Sequence, residues 1–216
     1  MSIGRLPQIT NYKATDWMYI FADPFGGMPE WKATPASNFF GNIPTPIVMS
    51  GAGRVINHVR IAAPSWRPGA NAPAEAFIGI YPTLAFDTSA DDEVHYDIIV
   101  PLRMAAGTGI MVIADWAYDG GADAGTVCWA LEYKSIIPGE ALVGGTTTIT
   151  QISAGTHTSG QLVRTIFADE IEGCVAHDEL GLRLYRDVDN GDTLATDAEL
   201  VAIHFMFTSD KMGEAV

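Results

Sequence analysis

From Arg54 onward, short apolar runs alternate with turn-forming residues: Val55–Ile61, Ala76–Tyr81, Val94–Val100, Ile110–Trp116, Thr126–Tyr133, Thr146–Ser153, Gln161–Phe167, Leu180–Arg186 and Leu200–Phe207. Runs this short, at this spacing, predict strands of an all-β sandwich or barrel. Arg67-Pro68-Gly69, Asp119-Gly120-Gly121, Pro138-Gly139, Gly144-Gly145 and Asn190-Gly191-Asp192 stand between them and supply the backbone freedom of tight turns. The best helical signal is Ala195–Ala202, where Thr196 can cap and Glu199 follows three residues later. It is short and runs into an apolar stretch, so it predicts at most one turn.

Alternation within the runs sorts their faces. Leu180, Leu182 and Leu184 point one way and Arg183 and Tyr185 the other, the pattern of a half-buried antiparallel strand. Ile110–Trp116 is apolar on both sides, with Ile110, Val112 and Trp116 opposite Met111 and Ile113. In Leu200–Phe207, Val201, Ile203, Phe205 and Phe207 stand opposite Leu200 and Met206. A doubly apolar strand needs a second cover; without helices that cover is the N-terminal segment or another subunit, which predicts a homo-oligomer. Leu200–Phe207 is alternatively a wholly core strand. The Thr-rich run Gly144–Thr150 reads as an edge strand.

Residues 1–53 differ from the rest. Pro7, Pro24, Pro29, Pro35, Pro44 and Pro46 are half of the chain's twelve prolines and interrupt helices and sheet ladders alike. Trp17, Tyr19, Phe21, Phe25, Trp31, Phe39 and Phe40 lie among them, an aromatic load that is costly to leave in water. The segment therefore reads as an irregular arm, extended over its own sandwich or over a neighbouring subunit, with residues 54–216 forming the sandwich.

Composition narrows the function. Apolar residues are 48% and charged residues 18% of the chain, which opposes disorder. A net charge of -14 opposes direct nucleic-acid binding, which needs clustered Lys and Arg. No apolar stretch reaches the roughly 20 residues of a bilayer span, and Met1–Asn11 lacks a signal-peptide pattern, so the expectation is no membrane association and synthesis in a cytoplasm. Cys128 and Cys174 are too few for a disulfide scaffold and read as buried thiols.

Motifs for chemistry are absent. Gly51-Ala52-Gly53 lacks the third glycine of a dinucleotide loop, and there is neither a phosphate loop nor a G-x-S-x-G elbow. His58, His95, His157, His177 and His204 are scattered singly, without metal-ligand spacing, and His204 reads as a hydrogen-bonded core residue. Asp187–Asp192 places acids at alternate positions, as a calcium loop does, yet glycine and glutamate fall at the wrong positions, so it reads as a polar turn. Asp91-Asp92-Glu93, Asp169-Glu170 and Asp178-Glu179 read as solvated loop acids rather than the carboxylates of a glycosidase. The expectation is no enzyme and no catalytic, cofactor-binding or metal residues. Trp66, Trp116, Tyr118 and Trp129 are candidates to stack on sugar rings.

Trp129-Ala130-Leu131-Glu132-Tyr133, then Pro138-Gly139-Glu140, then Leu180-Gly181-Leu182-Arg183-Leu184-Tyr185-Arg186-Asp187, with the Thr-rich strand between, resembles jelly-roll structural proteins of tailed-bacteriophage virions over about the last 90 residues. The resemblance implies a jelly-roll sandwich that assembles as a homotrimer and decorates or cements a capsid, bound to the major capsid protein or another virion protein. The alternative is a receptor- or carbohydrate-binding knob of a fibre or tail. Trp17, Trp31, Phe39, Phe40 and the Ile110–Trp116 strand are the expected contact residues between subunits.

Overall fold

The computed structural model describes residues 17–22, 30–35, 47–48, 54–120, 125–153 and 158–212. They fall in two units, Met1–Ile47 with Ala215–Val216, and Val48–Glu214. In the first, strands β1 (Trp17–Ala22) and β2 (Glu30–Pro35) pair antiparallel from Trp17 opposite Pro35 to Ala22 opposite Glu30. Part of the segment read as an irregular arm is thus a hairpin, which carries Trp17 and Trp31; Phe39 and Phe40 lie outside the described residues.

The second unit begins with the end of β3 (Ile47–Val48), followed by β4 (Val55–Ala62), the two-residue β5 (Arg67–Pro68), β6 (Ala74–Ile78) and β7 (Tyr81–Phe86). Then come β8 (Glu93–Ile99), β9 (Ile110–Ala117), β10 (Val127–Ile136), β11 (Thr147–Ser153), β12 (Val163–Ile166), β13 (Glu179–Arg186), β14 (Ala198–Ser209) and the short β15 (Lys211–Met212). One sheet has the order β11-β10-β13-β8-β5 and the other β12-β9-β14-β7-β6, with β4 also on β14. Lettering β7 to β14 as B to I, the sheets read C-H-E-F and B-I-D-G, with every described pairing antiparallel. This is the strand order of a jelly roll, so the expected all-β fold class holds. Among the described residues no helix is long and apolar enough to cross a membrane.

Three elements depart from the sequence pattern. Ala76–Tyr81 is not one strand but crosses a hairpin: Ile78 pairs with Tyr81 around Gly79-Ile80, and Gly79 takes φ 61°, the positive angle a type II′ turn needs at its first position. Ala195–Ala202 forms no helical turn; β14 begins at Ala198, and Glu199 accepts a 2.6 Å hydrogen bond from Thr83 instead of closing a cap. A bulge between Leu200 and Ala202 shifts the register, so Leu200 sits opposite Trp116 on the same side as Ile203, Phe205 and Phe207, the reverse of the simple alternation.

The core lies between the sheets. Phe86 and Trp116 of the B-I-D-G sheet meet Trp129 of the C-H-E-F sheet edge to face, with centroids 5.1 Å and 6.3 Å apart. Leu180, Leu182 and Leu184 are buried beside them, as their alternation requires, and Arg183 and Tyr185 face outward with the guanidinium 4.5 Å over the ring. The Thr-rich strand β11 is an edge strand, as expected.

Arg186, next along β13, is fully buried. Its Nε and Nη2 donate to Asp192 at 2.8 Å each, Nη1 donates to the carbonyls of Phe86 and Thr196, and Nη2 also donates to that of Leu194. All five guanidinium N–H groups are therefore matched. Asp192 additionally accepts from the backbone N–H groups of Cys128 and Leu194. Removing one member of a buried pair strands the other charge, so Asp192→Ala is expected to lower unfolding free energy by about 3–5 kcal/mol. Urea denaturation of the purified variant measures this.

Candidate functional site

The four aromatics considered as sugar platforms are interior. Trp66 is 4% exposed, and Trp116, Tyr118 and Trp129 are fully buried. Ile110–Trp116 is an inner strand of its sheet, β9 between β12 and β14, with Ile110, Val112 and Trp116 in the core; on its outer face Ile113 is 8% exposed and Met111 is half-buried.

The acids are less uniform than their sequence context indicates. Asp169 and Glu170 are exposed. Asp92 is buried and accepts from the Asp87 N–H, and buried Asp178 accepts from Ser135 Oγ and the Val175 N–H at 2.7 and 2.9 Å. These two are loop fasteners and not solvated acids. Asp187–Asp192 forms a turn, with Asp192 committed to Arg186. Cys128 and Cys174 are free and buried; burial, reinforced by neighbouring acids, pushes the Cys128 thiol up to about 11, and burial raises Cys174 as well, which suits inert thiols. Among the described residues no group of three or more His, Cys, Asp or Glu is placed to hold a metal; His157 lies outside them.

Two surface features remain. The first is the end of the sandwich where the β8–β9, β10–β11 and β12–β13 connections gather. Ile99 and Ile136 flank Glu179 in register, and Asp178 ties this end together: its carbonyl accepts from the Val100 N–H of the β8–β9 connection, and its carboxylate accepts from Ser135 near the end of β10 and from the Val175 N–H. Lys134 Nζ donates to the carbonyls of Ala141, Val143 and Gly144, which shapes the β10–β11 loop. Large apolar side chains are left bare on these connections: Ile99 57%, Leu102 40%, Ile137 52% and Val175 64% exposed, and on the β10–β11 loop Leu142 79% and Val143 83%, with Leu142 lining a groove beside His95, Glu132 and Arg183 on the outer face of the C-H-E-F sheet.

The second is a polar cluster on the outer face of the B-I-D-G sheet. Buried Asp115 on β9 receives a bidentate pair of 2.7 Å bonds from Arg164 on β12. Asp115 also lies 3.0 Å from His204 Nε2, and His204 Nδ1 is 2.5 Å from His58 Nε2 on β4. With Nε2 of His204 donating to the carboxylate, its Nδ1 accepts from His58, a relay that fixes both tautomers. His204 is thus a buried, partnered histidine, as its strand context implies. His58, Asp115 and Arg164 are separated by dozens of residues and come together only because β4, β14, β9 and β12 are successive neighbours. Burial works to raise the Asp115 pKa, but the Arg164 bonds and His204 overcome it and hold the carboxyl below its ordinary range. Burial of His204 lowers its pKa in spite of Asp115.

Strand order and outer-face geometry together define a jelly-roll sandwich with a preformed polar cluster and an apolar end. No protein-family model matches the chain, and no curated protein sequence matches it. Solved structures similar to it include the CBM36-1 domain of a multidomain xylanase from the hindgut metagenome of Trinervitermes trinervoides, at 13% identity and TM-score 0.46 over 74% of this chain and all of that one. A carbohydrate-binding module CBM36 in complex with calcium and xylotriose matches at 17% identity and TM-score 0.42, over 68% of this chain and 98% of that one. A structure of infectious bursal disease virus, Gx strain, matches at 9% identity and TM-score 0.33, over 89% of this chain and 38% of that one. Likeness of this degree carries no argument about ligand or partner.

Because the folded His204 resists protonation relative to the unfolded chain, acidification through the ordinary histidine value of 6.5 adds a proton preferentially to the unfolded state and lowers stability. His204→Gln, which keeps a donor for Asp115, is expected to flatten this fall. Urea midpoints of both proteins at pH 7.5 and 5.5 provide the check.

Proposed function

We propose that the chain is a non-enzymatic structural protein of a virion, a capsid decoration or cement protein of the tailed-phage type, which assembles as a homotrimer and binds the major capsid protein or another virion protein. The observation that carries this reading is the apolar end of the sandwich. Ile99, Leu102, Ile137 and Val175 are 40–64% exposed at this end, with Leu142 and Val143 barer still on the adjoining β10–β11 loop, and exposed apolar surface rimmed by polar groups is what protein partners cover.

The occupant of this end is other copies of the chain. Chains carrying a net charge of -14 repel one another, and association then depends on a surface where apolar burial outweighs that repulsion. The connections are fastened by Asp178 and Lys134 in advance, which reduces the ordering cost of association. Such a protein acts through burial and fit, with its charge keeping free subunits soluble before they meet the particle.

Light scattering coupled to size exclusion is expected to give a trimer mass at two concentrations. Leu142→Asp combined with Val143→Asp is expected to give monomers with an unchanged melting temperature, because both side chains are exposed and add nothing to the core. A wild-type monomer at both concentrations sinks the assembly reading.

A further inference from the structure

Beside the Asp115 cluster, on the same outer face, a cleft of about 350 Å³ opens between Arg60, Arg164, His204, Tyr81, Leu162 and Val201. Its volume falls within the range of small-molecule sites, about 300–1,000 Å³. We propose that this cleft binds the carboxylate of a sugar acid, with the sugar ring lying against Tyr81.

The charge balance selects an anion. Two of the chain's twelve basic residues converge here, on a protein with 26 acids. The one carboxylate in the cleft, Asp115, is already neutralised by Arg164 and engaged by His204. Arg60, opposite His204 in the β4–β14 register, is exposed and has no ion-pair partner among the described residues. Arg164 uses Nε and one Nη2 hydrogen on Asp115, which leaves three N–H groups for a ligand on a side chain that is 55% exposed. An incoming carboxylate therefore meets one guanidinium without an ion-pair partner among the described residues and a second that is oriented but unsaturated, the charge-assisted geometry that carboxylates favour.

The rest of the cleft suits a ring bearing hydroxyls. Tyr81 is 60% exposed and offers a flat face for C–H contact, while Leu162 and Val201 add apolar walls. Asp115, Arg164 and His204 are held by one another, so the polar groups at its base are fixed before any ligand arrives. This site lies on the sheet face and not on the apolar end, so it stands or falls independently of trimer formation.

Titration calorimetry with digalacturonate, its neutral counterpart galactobiose, acetyl-glutamate amide and inorganic phosphate tests the assignment. Digalacturonate is expected to bind at millimolar concentration or below, at least tenfold tighter than galactobiose, and more weakly as salt rises. Arg60→Gln is expected to weaken it about tenfold and Tyr81→Ala by a similar factor, both with unchanged melting temperature and oligomer mass. Equal binding of the acidic and neutral sugars overturns the proposal, as does no binding of digalacturonate. Preferential binding of acetyl-glutamate amide or phosphate overturns it in favour of an acidic peptide or a phosphate group.

Discussion

The sandwich is closed at one end by a buried charge. Arg186 extends from β13 of one sheet and donates to the Phe86 carbonyl of β7 in the other, so a single guanidinium crosses the gap between the sheets. Its remaining bonds gather Asp192, Leu194 and Thr196 from the β13–β14 connection. Five matched donors and a bidentate carboxylate are what make a fully buried arginine tolerable. The aromatic contacts of Trp129 with Phe86 and Trp116 pack the same two sheets by burial, without directional demands of comparable strictness. Arg186 specifies how that end closes, while the aromatics supply apolar burial.

A second polar group solves a different problem. Strands β9 and β14 are apolar on the side that meets the core, and their outer sides also carry Met111, Ile113 and Met206. The Asp115, Arg164, His204 and His58 bonds run across four adjacent strands on that outer side. Every member finds a partner within the cluster, which removes the penalty for burying Asp115 and His204. Beyond the cluster, Ile113 is buried while Met111 and Met206 remain half-buried on the same face.

The rhythm of the strands was legible because period-two alternation and turn residues act locally. Leu180–Arg186 shows this most clearly, where each leucine is buried and Arg183 and Tyr185 are not. What escaped was set by neighbours distant in sequence. The run Ala76–Tyr81 hid the reversal that begins β7, because the Gly79-Ile80 turn sits inside an apolar stretch. The bulge after Leu200 put Leu200 and Val201 on the faces opposite to those the alternation assigns, and no composition signal marks a bulge without glycine. Trp116 and Trp129 stood as candidate sugar platforms although aromatics more often fill cores or interfaces, since an aromatic side chain does not announce its burial. The Asp115 cluster was invisible for the same reason: each residue is ordinary on its strand, and only strand order brings them together.

The two ends of the sandwich are consequently unlike. At the Arg186 end, loop residues turn inward to satisfy a charge, and Leu194 is 2% exposed. At the opposite end Asp178 and Lys134 fasten loop backbone and leave the aliphatic side chains outside. Both ends use polar side chains to hold irregular backbone, as buried loop groups require. They differ in what that bonding leaves at the surface. Loops ordered for folding alone gain nothing by holding Leu142 and Val143 in water, because the Lys134 bonds to the carbonyls are indifferent to the side chains that those residues carry. An ordered loop with bare leucine and valine costs hydration free energy that a polar substitution would avoid, and the proposed burial against another copy of the chain would recover that cost.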